Sequence, residues 1–364
     1  MSTGALAMLS GISWRCRDAV VNRRHAKGSE RFLITRHPAK TPRFYDVFLH
    51  WMESRLPRAR ERFELRMLPL AARDSSRYVL HVPWLQDPVQ QWSAAVYEQA
   101  RRLSADLGSR GVPTINPVDR LTNAAKSVGA RLIGEAGIRT PRTVPIENAG
   151  RFRATFLGLE LPLLVREDWG HSADNAIETG QVARCDTPGD VEKVALGRFL
   201  RPVAMEFIDT RDPRDGFYRK YRYLAAGDTG VALHLHVKDH WFVKGASQLY
   251  SEEIRDEDLA YLSGPDPNHE ALQRARRALK LDFVAFDYSY DRAGRLVVWE
   301  ANPYPYFHFI GGRRAYRTPA VERAFAAMLE LYHTRAGLPV PGEVRRLLEW
   351  PPGESRAVPA GAAR

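Results

Sequence analysis

The sequence predicts an α/β chain in which a small parallel-sheet domain precedes a larger domain of two α+β lobes. Three observations support this prediction. Short apolar runs alternate with amphipathic stretches over residues 30–118, an order typical of parallel β-α-β units. In the second half, apolar runs flank turn signals at 226–228 and 291–294, which is typical of strand pairs. The length of 364 residues suits about two domains.

The first domain is predicted over residues 30–118. Its elements are a strand at 31–35, a helix at 41–56, strands at 64–70 and 77–83, a helix at 90–109 and a short strand at 114–117. The second helix is indicated by apolar residues at helical spacing, namely Val96, Ala100, Leu103 and Leu107. Residues 1–29 lack such spacing, so we expect a loose N-terminal leader there.

The second domain is predicted over residues 119–340. We expect helices at 119–136, 191–200, 270–279 and 319–335, and strands at 160–166, 203–208, 219–225, 231–237, 282–290 and 295–300. The polar stretch 169–175 is expected to be a loop. Residues 350–364 are rich in Pro, Gly and Ala and predict a disordered tail.

Composition and charge exclude several classes of protein. Two cysteines exclude a disulfide scaffold, and no apolar run approaches the ~20 residues of a membrane-spanning helix. We therefore expect a cytoplasmic protein with no membrane partner. The net charge is +11, and residues 1–70 hold 14 Lys or Arg against six Asp or Glu. Because no nucleic-acid-binding motif accompanies this charge, an acidic substrate is favoured over nucleic acid.

Three oxygen-bearing side chains are brought together by one predicted hairpin. Asp287 lies within the first strand, Glu300 ends the second strand, and Asn302 follows two residues later. Carboxylate and amide oxygens are hard ligands of the kind that Mg²⁺ prefers, and substrate phosphates often complete its coordination. We predict that these three residues bind Mg²⁺, with Mn²⁺ as an alternative.

Basic residues follow in neighbouring segments. Only eight of the 54 basic residues are lysines, and four of the eight are Lys126, Lys220, Lys238 and Lys244. In the strand at 219–225, odd and even positions point to opposite faces, and we expect one basic face to meet phosphate or a substrate carboxylate. Two further arginines, at 313 and 314, follow a Gly-Gly turn and suit an acidic substrate. The pair at 234 and 236 is a His-x-His motif, but zinc is not favoured because no third ligand is evident.

These motifs together resemble the ATP-grasp superfamily. Its C-terminal signature is an Asp on one strand and then Glu-x-Asn-x-x-Pro, which is matched here by Asp287 and by residues 300–305. Residues 126–143, 161–166 and 206–208 are similar to its helix, its phosphate-binding strand and its adenine hinge, with Arg166 in the usual lysine position. The similarity covers about residues 115–335, and it is nearest to carboxylate–amine ligases of the glutathione synthetase and ribosomal-protein glutamate ligase kind.

The resemblance implies an ATP-grasp domain at 119–340, behind a pre-ATP-grasp domain at 30–118. It implies that ATP and Mg²⁺ are bound. Adenine would meet the backbone of Phe207 and Ile208, with Glu206 accepting from the exocyclic amine, and Asp215 or Asp209 would meet the ribose. The phosphates would be bound by Lys126 and Arg166, with Arg222 or Lys238 added. Arg219 and Arg222 are the predicted catalytic residues.

The resemblance also implies a reaction. We expect amide or peptide bond formation between a small-molecule or peptide carboxylate and an amine, through an acyl phosphate. A kinase of a small molecule and a non-catalytic nucleotide-binding protein are the alternatives. The loop at 168–175 has one glycine, Gly170, where the family often has several, so phosphate contacts there rest on polar residues such as His171 and Ser172. The sequence leaves both substrates and the oligomeric state open.

Overall fold

The computed structural model describes residues 3–37, 44–68, 70, 77–85, 94–170, 177, 180–244 and 248–349, and the predicted tail at 350–364 lies outside them. Its strands are β1 Arg31–Arg36, β2 Phe63–Met67, β3 Tyr78–Trp84, β4 Thr143–Pro145, β5 Leu163–Glu167, β6 Val182–Cys185, β7 Pro202–Glu206, β8 Tyr218–Ala226, β9 Thr229–Lys238, β10 Phe283–Tyr290 and β11 Leu296–Asn302. Its α-helices are α1 Thr3–His25, α2 Phe44–Arg55, α3 Pro57–Arg60, α4 Ala94–Ser109, α5 Lys126–Glu135, α6 Ala149–Thr155, α7 Pro188–Lys193, α8 Glu252–Ser263, α9 His269–Leu279, α10 Thr318–Arg335 and α11 Gly342–Glu349.

The first sheet is parallel, as predicted, with the strand order β2-β1-β3. Its strands are almost wholly buried, which is typical of a parallel sheet covered on both faces, although they include polar residues such as Arg36 and Glu64. The strand expected at 114–117 is reduced to a single parallel bridge between Thr114 and His81. Prolines at 113 and 117 flank this bridge, and proline cannot donate to a ladder, so the pairing stops there.

The expectation of a loose leader is wrong, because residues 3–25 form helix α1. Its last turns are fixed to β2, the edge strand of the parallel sheet. The Asn22 side chain donates to the Leu65 carbonyl at 2.7 Å and accepts from the Leu65 amide at 2.9 Å. Arg15 donates to the carbonyl of Leu68 at 2.7 Å. The helix thus satisfies backbone groups that an edge strand would otherwise leave open.

Two antiparallel sheets follow, with the orders β4-β7-β5-β6 and β11-β10-β8-β9. The predicted hairpin between β10 and β11 is present. In its turn, the Asp291 carboxylate accepts from the amides of Ala293 and Arg295, and Gly294 has a φ of +74°. Glycine adopts this left-handed conformation without a steric penalty. Local turn chemistry therefore fixes the register of these two strands.

Two predicted helices are shorter than expected. The helix expected at 119–136 is divided into a 3₁₀ segment, Val118–Ala124, and α5. The break lies at Ala125, whose ψ of 144° is extended, and the next amide, of Lys126, donates to the Asp168 carbonyl instead of to its own helix. The helix expected at 191–200 is likewise replaced by α7 and a 3₁₀ turn, Leu196–Arg198.

Helix α10 joins the parallel sheet to the β11-β10-β8-β9 sheet. Its Tyr332 hydroxyl lies 2.6 Å from that of Tyr45, and Phe325 packs on Phe48 with ring centroids 5.1 Å apart. Side chains of β8, β9 and β10 belong to the same buried core. The β4-β7-β5-β6 sheet has a core of its own, built around Phe152 and Val165. None of the helices that the structure describes has the length and apolar character needed to span a bilayer.

Candidate functional site

A cleft lies between the two antiparallel sheets and is lined by residues of both. Alternate residues of β5 and β7 face it, while the intervening residues face the core of their own lobe. Strands β8, β10 and β11 form the opposite wall, and the segments 207–210 and 241–244 close the ends. Both sheets therefore contribute to a single site.

Part of the cleft is apolar. Phe207 and Trp241 meet edge to face, with ring centroids 6.0 Å apart. Leu164, Met205 and Ile208 also line the cleft. Aromatic and aliphatic walls of this kind suit a flat heteroaromatic ring, whose burial is favoured by the hydrophobic effect.

The polar part is built on the cleft face of β8 and β10. Lys220 and Arg222 lie on one face of β8, and Asp287 of β10 is directly opposite Arg222 in the register. The Arg222 guanidinium donates to both oxygens of Asp287, at 2.6 and 2.9 Å, and Lys220 donates to Oδ2 at 2.9 Å. Three charge-assisted hydrogen bonds thus hold one buried carboxylate.

The charges of the cleft shift several pKa values. Burial alone would raise the pKa of Asp287, but the charges of Arg222 and Lys220 outweigh it and hold this pKa well below its usual range. Burial lowers the pKa of Arg166 and of Lys244, and the carboxylates of the cleft oppose this effect. The desolvation of Arg166 and Lys244 is therefore unfavourable, and binding of an anion beside them would offset it.

The three predicted metal ligands lie on one face of the β10–β11 pair. Asp287 is directly opposite Glu300, and Asn302, two residues further, is opposite Ala285. The Asn302 Oδ1 atom accepts from the amide of Tyr304 at 2.9 Å, which orients the side chain. Two carboxylates and an amide oxygen form a donor set that fits Mg²⁺.

The described residues contain no group of three or more His, Cys, Asp or Glu able to hold a metal ion. A cation here would therefore depend on the amide of Asn302 and on oxygens from a substrate. This is the way in which Mg²⁺ is commonly held, with few protein ligands and substrate phosphates.

The structure does not bring Arg219 and Asp215 to the cleft. Arg219 lies on the other face of β8, where its guanidinium binds Glu257 of α8 at 2.9 Å and both oxygens of Asp215 at 2.9 and 2.8 Å. The position of Arg219 follows from strand alternation, since its neighbour Lys220 takes the cleft face. Asp209, the other candidate for the ribose, is held by Arg211 at 2.7 Å.

Three other predicted residues, Lys126, Glu206 and Lys238, are not among the residues that line the cleft. Lys126, at the start of α5, donates to the carbonyl of Gly170 at 2.6 Å, so it is fixed to the beginning of the expected phosphate loop. His171 and Ser172 of that loop lie outside the described residues. Glu206 accepts from the amide of Arg142 at 3.0 Å. Lys238 is at the end of β9.

The predicted hinge residues and one predicted cation do line the cleft. Strand β7 ends at Glu206, so Phe207 and Ile208 follow the last residue of the ladder, and both line the cleft. Arg166, on β5, lies with its Nη2 atom 3.7 Å from Oε2 of Glu300. This contact joins the β4-β7-β5-β6 lobe to the predicted metal ligands.

Two lysines of the cleft, Lys220 and Lys244, were not among the predicted site residues. A signal for them was present in the sequence, because lysine is rare in this chain and half of its lysines fall near the site. Trp241 and Phe242, which precede Lys244 in the same segment, had no motif to indicate them.

No family model matches the sequence, and no curated protein matches it either. Solved structures do match. The chain is similar to the macrocyclase MdnC of Microcystis aeruginosa MRC, bound with precursor peptide MdnA, with a TM-score of 0.52 and 11% identity, covering 83% of this chain and 99% of that chain. It is similar to a RimK domain protein, ATP-grasp, of Sphaerobacter thermophilus DSM 20745, with a TM-score of 0.50 and 15% identity, covering 82% and 99%.

A third similar structure is the D-alanine–D-alanine ligase of Bacillus anthracis complexed with ATP, with a TM-score of 0.51 and 12% identity, covering 85% of this chain and 97% of that chain. Structural similarity at identities this low establishes the fold alone, so the activity has to be argued from the site. The order of the elements, the two antiparallel sheets and the cleft between them agree with this likeness. The protein therefore has the ATP-grasp fold, which the motifs around Asp287 and Glu300 predicted.

Proposed function

We propose that the protein is an ATP- and Mg²⁺-dependent carboxylate–amine ligase. The observation that carries this proposal is the polar part of the cleft, where Asp287, Glu300 and Asn302 share one face beside Arg222 and Lys220. This arrangement combines a Mg²⁺ donor set with cations for phosphate oxygens. The apolar part of the same cleft offers a site for the adenine ring.

The charge of the cleft favours a nucleotide triphosphate with its metal. Three cationic side chains, Arg166, Lys220 and Lys244, line the cleft with two carboxylates, Asp287 and Glu300. A fourth cation, Arg222, is bound to Asp287. Two positive charges are left over in a partly buried space. The complex of Mg²⁺ with ATP carries about two negative charges at neutral pH, so its binding would balance the site.

The residues present fit a bound Mg²⁺ ion, which Asp287, Glu300 and Asn302 would hold. When bound, it would neutralise charge on the phosphates during phosphoryl transfer. Arg166 and Lys244, which both line the cleft, would bind phosphate oxygens. Arg222 and Lys220 would stabilise the transferring group once they exchange Asp287 for phosphate. No nucleophile from the protein is needed.

In the proposed reaction, a substrate carboxylate attacks the γ-phosphate of ATP, and ADP leaves. An amine then attacks the carbon of the acyl phosphate, and phosphate leaves as the amide forms. Similar structures named as a ligase and as a macrocyclase bound with its precursor peptide support this reaction class. They support a small-molecule or peptide carboxylate as the first substrate and an amine as the second.

The test is trapping by hydroxylamine. The protein is incubated with Mg-ATP, a mixture of carboxylic acids and acidic peptides, and hydroxylamine, and then hydroxamate and ADP are measured. An acyl phosphate yields hydroxamate, whereas a phosphorylated hydroxyl group does not, so the test separates a ligase from a kinase. Glu300→Gln is expected to abolish both products while the melting temperature stays within a few degrees of the wild-type value.

The matched control is Glu135→Gln, which makes the same change at a side chain on α5 that is 59% exposed. Its product yield should equal that of the wild type. ADP release without hydroxamate would favour the kinase, and normal turnover by the Glu300 variant would refute the assignment of the metal ligands. Binding of Mg-ATP with no product from any acid or amine would favour the non-catalytic alternative.

A further inference from the structure

Strand β11 contains a bulge next to the predicted metal ligands. In the register with β10, Glu300 is opposite Asp287, but Val298 is opposite Tyr288, the very next residue of β10. Trp299 is therefore an extra residue, with no residue of β10 opposite it. A bulge of this kind changes the side of the sheet on which the following side chains lie, and bulges are common beside active sites.

The bulge determines the face on which Glu300 lies. In a regular strand, side chains two residues apart lie on the same face, so Val298 and Glu300 would share one face. The structure separates them, because Val298 belongs to an apolar core whereas Glu300 lines the cleft with Asp287. The insertion of Trp299 thus lets the valine stay in the core while the carboxylate reaches the predicted metal site.

The side chain of Trp299 anchors the bulge to the two neighbouring strands. Its indole Nε1 atom donates to Oγ of Ser289 on β10 at 2.9 Å. The Ser289 hydroxyl donates in turn to the carbonyl of Arg219 on β8 at 2.6 Å. Ser289 is only 2% exposed, so water has little access to these bonds. A buried hydroxyl therefore links β11, through β10, to β8.

The outer side of the bulge is fixed by the backbone. Strand β11 is at the edge of its sheet, and the amide of Val298 donates to the carbonyl of Arg139 at 3.0 Å. The bulge is thus held on one side by a backbone bond and on the other by the indole of Trp299. Of these two bonds, only the indole bond depends on the identity of a side chain.

We propose, on the basis of the ligase function above, that Trp299 is a positioning residue for the metal site. Its hydrogen bond to Ser289 holds the bulge, and the bulge directs the Glu300 carboxylate into the cleft as a metal ligand. Trp299 thus acts through Glu300. Loss of groups that orient metal ligands typically lowers metal affinity by about 10- to 100-fold.

Two variants remove the hydrogen bond from its two ends. Trp299→Phe keeps an aromatic ring and removes the donor, and Ser289→Ala removes the acceptor. In titration calorimetry, each variant is expected to bind Mg-AMPPNP about tenfold more weakly than the wild type. With AMPPNP and EDTA, both should bind like the wild type, because the position of Glu300 matters only when a metal ion is present. The double variant should bind no more weakly than the weaker single variant, since both changes remove the same bond.

A second measurement needs no nucleotide. Hydrogen exchange of the β11 amides in the free protein is expected to be about fivefold faster in Trp299→Phe and in Ser289→Ala. The matched control is Trp51→Phe, because the Trp51 Nε1 atom donates to Oε1 of Glu322 at 3.1 Å, between α2 and α10. This change removes an indole hydrogen bond outside the cleft, and it should alter neither the binding of Mg-AMPPNP nor the exchange of β11.

An equal loss of affinity with and without the metal ion would overturn the positioning role and assign Trp299 to the apolar wall of the cleft. Variants that match Trp51→Phe in both measurements would also overturn it, as would additive losses in the double variant. If Trp299→Phe does not fold, Ser289→Ala decides.

Failure of the ligase function is seen separately. Wild-type protein that does not bind Mg-AMPPNP would refute the proposed function. The exchange of β11 then decides the role of Trp299, because faster exchange in both variants would support the anchored bulge and unchanged exchange would overturn it.

Discussion

The Arg222 guanidinium binds both carboxylate oxygens of Asp287, at 2.6 and 2.9 Å, so a predicted metal ligand is already occupied by a cation. Lys220 shares one of these oxygens at 2.9 Å. A carboxylate that accepts three charged hydrogen bonds is a poor ligand for a free metal ion, because binding would displace those bonds. Phosphate oxygens can accept the hydrogen bonds of Arg222 and Lys220 in place of Asp287. The Asp287 carboxylate is then free to bind the metal ion.

We therefore predict that Mg²⁺ and nucleotide bind together. Mg²⁺ alone should leave the melting temperature unchanged, whereas Mg-AMPPNP at 100 times its dissociation constant should stabilise the fold by about 2.7 kcal/mol. Thermal unfolding with each ligand measures this. A shift with Mg²⁺ alone that disappears in Asp287→Asn would contradict the prediction, because it would show a metal site formed before the nucleotide arrives.

The two lysines of the 238–244 region should differ in their effects. Lys244 lines the cleft, while Lys238, the last residue of β9, does not. Lys244→Met is expected to weaken Mg-AMPPNP binding about tenfold, since it removes one phosphate contact. Lys238→Met is the matched control and should change the affinity by less than about threefold. Calorimetry on both variants checks this. A larger loss of affinity in Lys238→Met than in Lys244→Met would assign the phosphate contact to Lys238 instead.

Acid should destabilise the parallel sheet through His81. This histidine is fully buried, with its Nε2 atom 3.0 Å from Thr35 Oγ1, and burial lowers its pKa to about 3. Because the folded pKa lies below the unfolded value of about 6.5, the neutral ring contributes its full stability above pH 6.5. This stability is lost as the pH falls from 6.5 toward 3, by up to about 1.4 kcal/mol per pH unit.

Urea unfolding between pH 7.5 and 5.0 measures this slope. His81→Gln should reduce the slope of the free energy of unfolding against pH by about 1 kcal/mol per pH unit, whatever its effect on stability at pH 7.5. His50→Gln is the control, because the His50 side chain is 70% exposed. If both variants keep the wild-type slope, His81 does not carry the acid sensitivity.

Gly230 should tolerate no side chain. A Cβ atom there would lie 2.1 Å from the hydroxyl oxygen of Tyr223 and 2.6 Å from Nδ1 of His269, two groups that are hydrogen-bonded to each other at 2.8 Å. Gly230→Ala is expected to cost about 2–4 kcal/mol, from overpacking and the loss of that bond. Gly264→Ala, with nothing within 4 Å of its Cβ, should change stability by less than about 1 kcal/mol. Equal unfolding midpoints for the Gly230→Ala and Gly264→Ala variants would contradict the prediction.

Sequence patterns predicted the features that depend on local chemistry. The β10–β11 hairpin is fixed by its turn, and this turn puts Asp287 opposite Glu300. The parallel pairing of β1 with β2 follows from helices α2 and α3, which connect them. Strands β4 and β6, of three and four residues, are too short to show a period and were not predicted. Their positions depend on pairing with β7 and β5.

The assignment of faces also depends on tertiary structure. Alternation on β8 separates Arg219 from Lys220 and Arg222, but it does not say which side meets the cleft. Helix α8 decides this by covering the Arg219 side and supplying Glu257. Helix α8 was itself missed, because its sequence is mostly polar. Helix α1 was missed for a related reason, since its order comes from the contacts of Asn22 with β2.

The shared core under helix α10 has a mechanical consequence. Because α10 joins the parallel sheet and the β11-β10-β8-β9 sheet through one shared core, and the β4-β7-β5-β6 lobe has a separate core, we expect any change in the width of the cleft to come from that lobe. The chain enters that lobe between α5 and β4 and leaves it between β7 and β8. Each crossing contains a glycine with positive φ, Gly137 at +76° and Gly216 at +77°. We expect nucleotide entry and product release to depend on backbone rotation near these two positions.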